Sequence, residues 1–469
     1  MVFRVPITVA CLAWAGFSTA IDTITRDVVI IGGGSSGTYA AIKLKDANVS
    51  VAVVDKSNRL GGHTVTWDDP VSGAAVDYGV IVLGNSPTTQ DYLARLGLTT
   101  VTGNVSFTNV SFFDFKSGEH NPYYVEHNPS DALERYFDQL ENYPFLNLTY
   151  DLTADIPADL LIPFGDFMKM YELGDASRAI YQWSQGFGQI LEVPALYILK
   201  LFSARVVNGL RGAGFLIPSN RNMSSIYAKA TDILGDDVLF RTTVVTAQRS
   251  EVDSEGYISL NVQHGGTSVI RANRIIVSIP PLTDVGYLGT FDLDSAETDV
   301  FKRFKYFECW AGVVREPAIP AGLNIDNVSP GNMTIPYFFA DLPADYLFRA
   351  SPAPACYVTA YGLPEGQSKT EDEVRGEIEA TMQRLRDAGA YNTTTTDPYE
   401  IVALANHSPY GLHMEVDDVK PGYYQKMYNL QGHLNTYWTG AAWVSHDSAA
   451  LWEYTAEVVA NVTKSLQKA

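Results

Sequence analysis

The runs Asp27–Ile31 (DVVII) and Val49–Val54 (VSVAVV) are apolar and largely β-branched. That is the pattern of strands buried on both faces of a parallel sheet. Ser36–Ala47 between them reads as a helix, so the opening is a strand–helix–strand unit. Downstream, aliphatic and aromatic residues recur at helical spacing over Leu160–Tyr171 and Ala179–Phe187. Most such positions are core, and some can face a ligand. A polar start predicts a helix over Ser219–Leu234, followed by a strand over Val238–Ala247. Arg274–Pro281 reads as a strand stopped by paired prolines, and Trp310–Arg315 as another strand. Thr370–Ala388 is a helix whose exposed face alternates in charge, a solvated surface. Thr436–Val459 reads as strand, glycine-containing turn and helix, with N-cap candidates at Ser445–Ser448.

Glycines turn the first unit into a binding site. Gly32, Gly34 and Gly37 fill a G-x-G-x-x-G frame between the first strand and the helix. The first permits the tight turn, the second admits a pyrophosphate, and the third lets helix and strand pack closely. The helix N-terminus then presents N–H groups and positive dipole to the phosphates. Asp55 closes the second strand, 23 positions after Gly32, where a carboxylate can accept from ribose hydroxyls. Ser36 and Lys56 flank these positions and are expected cofactor contacts. The context favours a bound dinucleotide over an incidental glycine loop. Gly61-Gly62 then follows Asp55 within a few residues, preceded by Arg59 and followed by His63.

The 469 residues suffice for two or three packed units. A formal net charge of −20 repels phosphate backbones, which argues against nucleic acid as a partner. Met1–Ala20 has the n-region, apolar core and small-residue end of a secretory signal. Beyond it no apolar stretch approaches membrane-spanning length. Asn-x-Ser/Thr acceptors at Asn48, Asn104, Asn109, Asn147, Asn222, Asn327, Asn332, Asn392, Asn406 and Asn461 fit a secreted glycoprotein. Once Cys11 leaves with the signal, Cys309 and Cys356 remain, and the sequence leaves their pairing open. No metal-type cluster of cysteine or histidine is visible, so no metal site is expected.

With its second glycine pair directly after the ribose-binding acid, the chain resembles the flavin-containing amine oxidoreductase superfamily. More narrowly, it resembles the secreted fungal flavoproteins grouped with β-cyclopiazonate dehydrogenase. The superfamily most often carries Arg where His63 stands. Val76–Val80 and Thr436–Ser448 resemble two further family segments that approach the flavin. The resemblance implies a mixed α/β fold: a Rossmann-type FAD-binding domain assembled from discontinuous segments, with an inserted substrate domain, amine-oxidase-like. The expected segments are a signal peptide at 1–20, FAD-binding parts at 21–85, 215–290 and 425–469, and substrate-domain parts at 86–214 and 291–424.

The resemblance also implies FAD as cofactor and roles for individual residues. Val244 would meet the adenine through its backbone. Arg59, Gly61, Gly62 and His63 would approach the phosphates and ribityl chain, so His63 is a cofactor contact and not a base. Gly440, Ala441 and Ser448 would sit at the helix end that faces the flavin N1–C2 edge, where charge collects on reduction. Amine-oxidase relatives often keep a lysine near N5. Here the matching strand puts Cys309 at that place, with Lys305 four positions earlier. Covalent flavin attachment occurs in part of the superfamily, and His413, 27 residues before Gly440, is a candidate anchor. His446 is the candidate catalytic acid or base. Trp438, Tyr437 and Trp443 are candidates for the pocket wall.

The reading that follows is a secreted FAD-dependent oxidoreductase. It would remove a hydride from a small apolar or amine-bearing metabolite, with oxidative cyclisation or desaturation, and oxygen or another acceptor would reoxidise the flavin. Amine or amino-acid oxidation is the alternative within that class. Redox-neutral double-bond isomerisation is the alternative from another. A flavin-binding protein without catalysis and a nicotinamide dehydrogenase fit less of the pattern.

Overall fold

A computed structural model describes residues 23–103, 108–121, 128–152, 155–250, 257–263, 266–284, 286–329, 339–391 and 395–467. The expected signal peptide and the acceptors Asn104, Asn332 and Asn392 lie outside these.

The apolar run predicted as a strand is Thr23–Ile31 (β1), with Val28–Ile31 buried. It pairs in parallel with Val51–Val54 (β2) on one side and with Thr267–Val277 on the other. Ser35–Asp46 (α1) crosses between β1 and β2. The seven-stranded sheet continues antiparallel through Ile258–Gln263 to an edge strand, Thr243–Gln248. Val238–Leu239 extends β2 in parallel. Thr436–Trp438, near the end of the chain, lies parallel beside the last residues of Thr267–Val277. The C-terminal helix, Ser448–Leu466, then packs on α1, where Trp452 stacks with Tyr39.

One buried ion pair locks these distant segments together. Arg249, just after the edge strand, makes 2.7 Å contacts with both carboxylate oxygens of Glu297, and both side chains are fully buried. The same guanidinium reaches Asp292 and the Thr436 hydroxyl. A fork-shaped cation satisfied by two carboxylates is the geometry in which such burial is tolerated.

A second sheet has the order 400–406, 309–315, 356–362, 344–350, 324–327, 110–113, antiparallel except for the last pair. Glu371–Asp387 packs on one face through Val374, Ile378, Met382 and Leu385, against Phe348 and Tyr361. Its Thr370–Glu373 capping box accounts for the sharp start that the sequence predicts. Short helices between 130 and 208 form the remaining wall. Here helical periodicity overstated length. The helix expected over Leu160–Tyr171 is Phe164–Met170, because Pro163 precedes its first turn, and the next is only Ser177–Trp183. Likewise Val238–Ala247 is two strands, broken around Arg241 in the left-handed region.

Cys309 and Cys356 are both buried and free. Cys309 faces Gly362 and Cys356 faces Arg315, at opposite ends of one ladder, which separates them by roughly 20 Å. Asn327 is buried, its amide donating to the Asp345 carbonyl and accepting from the Phe115 amide, so this acceptor is structural. Among the described residues, no helix is long and apolar enough to cross a membrane, and no three potential metal ligands cluster.

Candidate active site

A cavity of about 830 Å³ opens along the carboxyl ends of β1 and β2 and ends against the second sheet. Its volume lies in the upper part of the ~300–1,000 Å³ range of small-molecule sites. Such a position, outside the strand ends of an open parallel sheet, is where ligands of this architecture bind.

The two glycine motifs meet at its mouth. The Gly61 amide donates to the Gly33 carbonyl at 2.8 Å, holding the second glycine pair against the first turn. A Cβ on Gly37 would lie 1.9 Å from the Gly32 carbonyl oxygen, so helix and strand touch there, as the sequence requires. A Cβ on Gly34 would meet only the Gly62 Cα, at 3.9 Å, leaving an open cradle between the motifs. Ser36 lines this cradle, and its buried hydroxyl oxygen has no protein partner, which suits a phosphate acceptor. Asp55 accepts from the Gly33 amide at 2.6 Å and the Ser57 amide at 2.7 Å, and its carboxylate borders the cavity. Arg59 folds back to donate to the carbonyls of Leu60, Gly62 and Thr64, fixing the loop that carries His63. Lys56 lies over the Tyr287 ring at the same end.

Val244 lines the cavity from the edge strand, beside a bulge between Val244 and Thr246. At the other end the Thr439 amide continues the sheet by donating to the Val277 carbonyl. Gly440 then turns with φ +111°, and Ala441 and Ser448 face the cavity. The helix cap is Asp447, whose carboxylate accepts from the Ala449 amide at 2.9 Å and lies 3.2 Å from Arg205 Nε. Thus Gly32, Gly34, Ser36, Asp55, Lys56, Arg59, Gly61, Gly62, His63, Val244, Gly440, Ala441, Ser448 and His446 all line one cavity. Gly37 sits just behind it, at the helix–strand contact. Tyr78–Val82 and Ser278–Pro281 line it as well.

Three histidines stack in the wall. His63 lies 4.7 Å from His407 and 6.2 Å from His446, centroid to centroid, with near-parallel rings. Tyr410 lies 4.1 Å from His446. Burial, reinforced by Arg59 and Lys56, pushes His63 down to about 4. Burial, then the neighbouring His63, pushes His446 down to about 3, and burial takes His407 well below its ordinary value. All three are therefore neutral near pH 7.

Of the two roles expected for His446, acid or base, the geometry disfavours the base. Its Nε2 lone pair accepts the Gly411 N–H at 3.1 Å, which leaves Nδ1 as the protonated nitrogen, a donor. His413 does not reach the cavity, which corrects its reading as a flavin anchor. On the strand Tyr410–His413, Tyr410 and Leu412 face the cavity, so alternation turns His413 to the other side. There its Nδ1 contacts the Gly411 carbonyl at 2.7 Å, its Nε2 contacts Glu365 at 3.0 Å, and its ring stacks on Phe307.

Lys305 is paired with Glu365 and Glu415, away from the cavity. Among the described residues the one lysine lining the cavity is Lys56, at the Asp55 end. Cys309 does line it, with its thiol pushed up to about 12 by burial. Trp438 and Trp443 are fully buried and pack on Phe301 and Tyr428 instead of walling the pocket, and Tyr437 does not line it either. His407, Arg205 and Arg349 line the cavity without any local sequence signal. Only long-range strand pairing and helix packing bring them there.

Residues 30–96 match the family described as NAD(P)-binding Rossmann-like domain. The chain is 32% identical over 444 residues to the FAD-dependent oxidoreductase oblC of Cochliobolus heterostrophus, covering 92% of this chain and 90% of that one. It is 32% identical over 460 residues to the β-cyclopiazonate dehydrogenase of Aspergillus flavus, covering 98% and 97%. In fold it is similar to a fatty acid isomerase from P. acnes, with TM-score 0.72 and 18% identity over 93% of this chain and 98% of the other. It is also similar to a putrescine oxidase, with TM-score 0.60 and 17% identity over 94% and 100%.

Proposed function

Because the chain belongs to the family of FAD-dependent oxidoreductases that includes β-cyclopiazonate dehydrogenase, we propose that it oxidises a small secondary metabolite, with cyclisation or desaturation of the product. The observation that carries this reading is the continuity of the cavity. It runs from a cradle built of two glycine motifs to a face of the second sheet lined by Ala311, Leu347, Val358 and Ala360.

Bound FAD supplies the hydride acceptor. The chain's residues hold and surround it. Asp55, Ser36 and the α1 N-terminus suit the ribose and pyrophosphate, and the cradle at Gly34 and Gly62 fits a group that approaches backbone closely. The N-terminus of Ser448–Leu466 directs its positive end into the cavity, where it favours negative charge on a bound group. His446 offers an Nδ1–H donor and no free lone pair, so it orients and does not abstract a proton. Buried apolar side chains exclude water from the far end.

Among amine-oxidising alternatives, the cavity's lysine content is the discriminating feature, since Lys56 stands at the ribose end and Cys309 at the substrate end. Secretion is part of the proposal, supported by the Met1–Ala20 pattern and by exposed acceptors at Asn48, Asn109, Asn147 and Asn461. Oxygen is the proposed reoxidant.

The test is anaerobic titration of the purified holoprotein with candidate metabolites while the flavin absorbance is followed. Bleaching by a metabolite, with a desaturated or cyclised product, supports the reading. Bleaching and peroxide release confined to amines would replace it with amine oxidation. The fold similarity to a fatty acid isomerase favours one second reading, redox-neutral double-bond migration. Product formation without oxygen uptake in an oxygen electrode would select it.

A further inference from the structure

One charged side chain stands on the substrate-facing side of the second sheet. In the strand Ala344–Ala350, alternation directs Leu347 and Arg349 to the cavity, and Phe348 between them to the opposite core. Across the ladder, Arg349 faces Val358 and Leu347 faces Ala360. Arg349 is therefore a guanidinium, 7% exposed, on a sheet face that it shares with the apolar Leu347, Val358 and Ala360.

Such a group keeps its charge at every working pH, and taking it out of water is expensive unless anions and acceptors surround it. Behind the wall it is held. Its Nη2 lies 3.2 Å from Asp326 Oδ1, while Arg178 binds the other oxygen of the same carboxylate at 3.1 Å. With its amide oxygen turned toward the cations, Gln182 accepts from Arg178 at 3.1 Å and from Arg349 at 3.2 Å. One carboxylate and one amide are thus shared by two guanidinium groups. This fixes the Arg349 fork without removing it from the cavity wall, where Gln182 and Gln185 also stand.

We propose that Arg349 receives an anionic oxygen of the substrate, a carboxylate or an enolate, and that the substrate class is an organic acid and not an amine. A preorganised guanidinium in a dry cavity binds such an oxygen strongly, because the cost of ordering the donor is met in advance. A protonated amine placed against the same wall would meet like charge at low dielectric. The inference rests on the oxidoreductase reading of the cavity and narrows its substrate.

The experiment titrates the FAD-loaded protein with benzoate, benzamide and benzylamine, three probes sharing one ring, and follows the perturbation of the flavin absorbance. Benzoate is expected to bind at least about tenfold more tightly than the other two. Arg349→Gln is expected to weaken benzoate by about tenfold or more and to leave benzamide within about twofold, and Arg349→Lys to lose less. Equal or tighter binding of benzylamine or benzamide by the wild-type protein overturns the proposal. So does the absence of a benzoate response, or an Arg349→Gln protein that retains FAD and full benzoate affinity. If Arg349→Gln does not hold FAD, the wild-type ranking and Arg349→Lys decide. Flavin content and anaerobic bleaching of the flavin by candidate metabolites, measured on the same samples, test the oxidoreductase reading independently of these affinities.

Discussion

The backbone amide of Gly411 donates to Nε2 of His446 at 3.1 Å, and this bond assigns the proton of a cavity histidine. The carbonyl of the same glycine contacts His413 Nδ1 at 2.7 Å. The two peptide units that flank the Gly411 Cα therefore set one histidine inside the cavity and another outside it.

The buried, neutral histidines make the protein acid-sensitive in a defined window. His63 and His446 titrate near 4 and 3 in the fold, below the ordinary histidine value. Lowered folded values mean stability that is full above about pH 6.5 and is lost as pH falls toward 4 and then 3, by up to roughly 3 kcal/mol for His63 and roughly 5 kcal/mol for His446. Denaturant unfolding between pH 7 and pH 4 should show this slope, and His446→Gln should make it shallower. Above about pH 6.5 neither group should add a limb to the rate of flavin reduction.

His413 is predicted to be a structural residue of the Tyr410–His413 strand and not a flavin anchor. His413→Asn should leave the FAD content of the purified protein unchanged while lowering stability by about 1–2 kcal/mol, through loss of its contact with Glu365. Acid precipitation of the wild-type protein, followed by measurement of flavin in the supernatant, should release FAD intact.

Two glycines of one motif should respond differently to alanine. Gly37→Ala drives a methyl into the Gly32 carbonyl and should destabilise even the apoprotein by at least about 3 kcal/mol. Gly34 has φ −71°, which alanine adopts, and has room for a methyl in the absence of ligand. Gly34→Ala should keep the apoprotein melting temperature and weaken FAD about tenfold or more, measured by fluorescence titration.

Breaking the Arg249–Glu297 pair should be severe, since both side chains are fully buried. Glu297→Ala leaves a guanidinium without its bidentate partner and should cost about 3–5 kcal/mol in denaturant unfolding. The loss should appear as flavin release at lower denaturant, because the same guanidinium holds Thr436 at the strand that leads to Gly440.

The parts of the site that could be read from the sequence are those made by neighbours in the chain. Gly32 to Asp55 form their contacts within one strand–helix–strand unit, so spacing specifies them, whereas the roles of Arg59 to His63 rest on the family resemblance. At Gly440 and Ser448 a turn and a helix start are local events and legible as such, while their place beside the cofactor rests on the resemblance. Counting residues could place His413 near the cofactor region but not on a face, and one step along the strand reverses the face. Arg349 depends on which face its strand turns to the cavity, and His407 and the histidine stack on segments far apart in the chain, which no local pattern encodes. Aromatic content misled for a related reason. Trp438 and Trp443 sit in the right segment, yet their size is used to seal the core beneath the cavity.

The position of Thr436–Trp438 beside Thr267–Val277 has a consequence for how the protein is made. The first glycine motif leaves the ribosome hundreds of residues before the strand and the helix N-terminus that close the cavity. The cavity that would hold the cofactor is therefore complete only once Thr436 to Ser448 have been made. A polypeptide ending at residue 435 would carry the whole first fingerprint and lack the turn and the helix N-terminus that close the cavity.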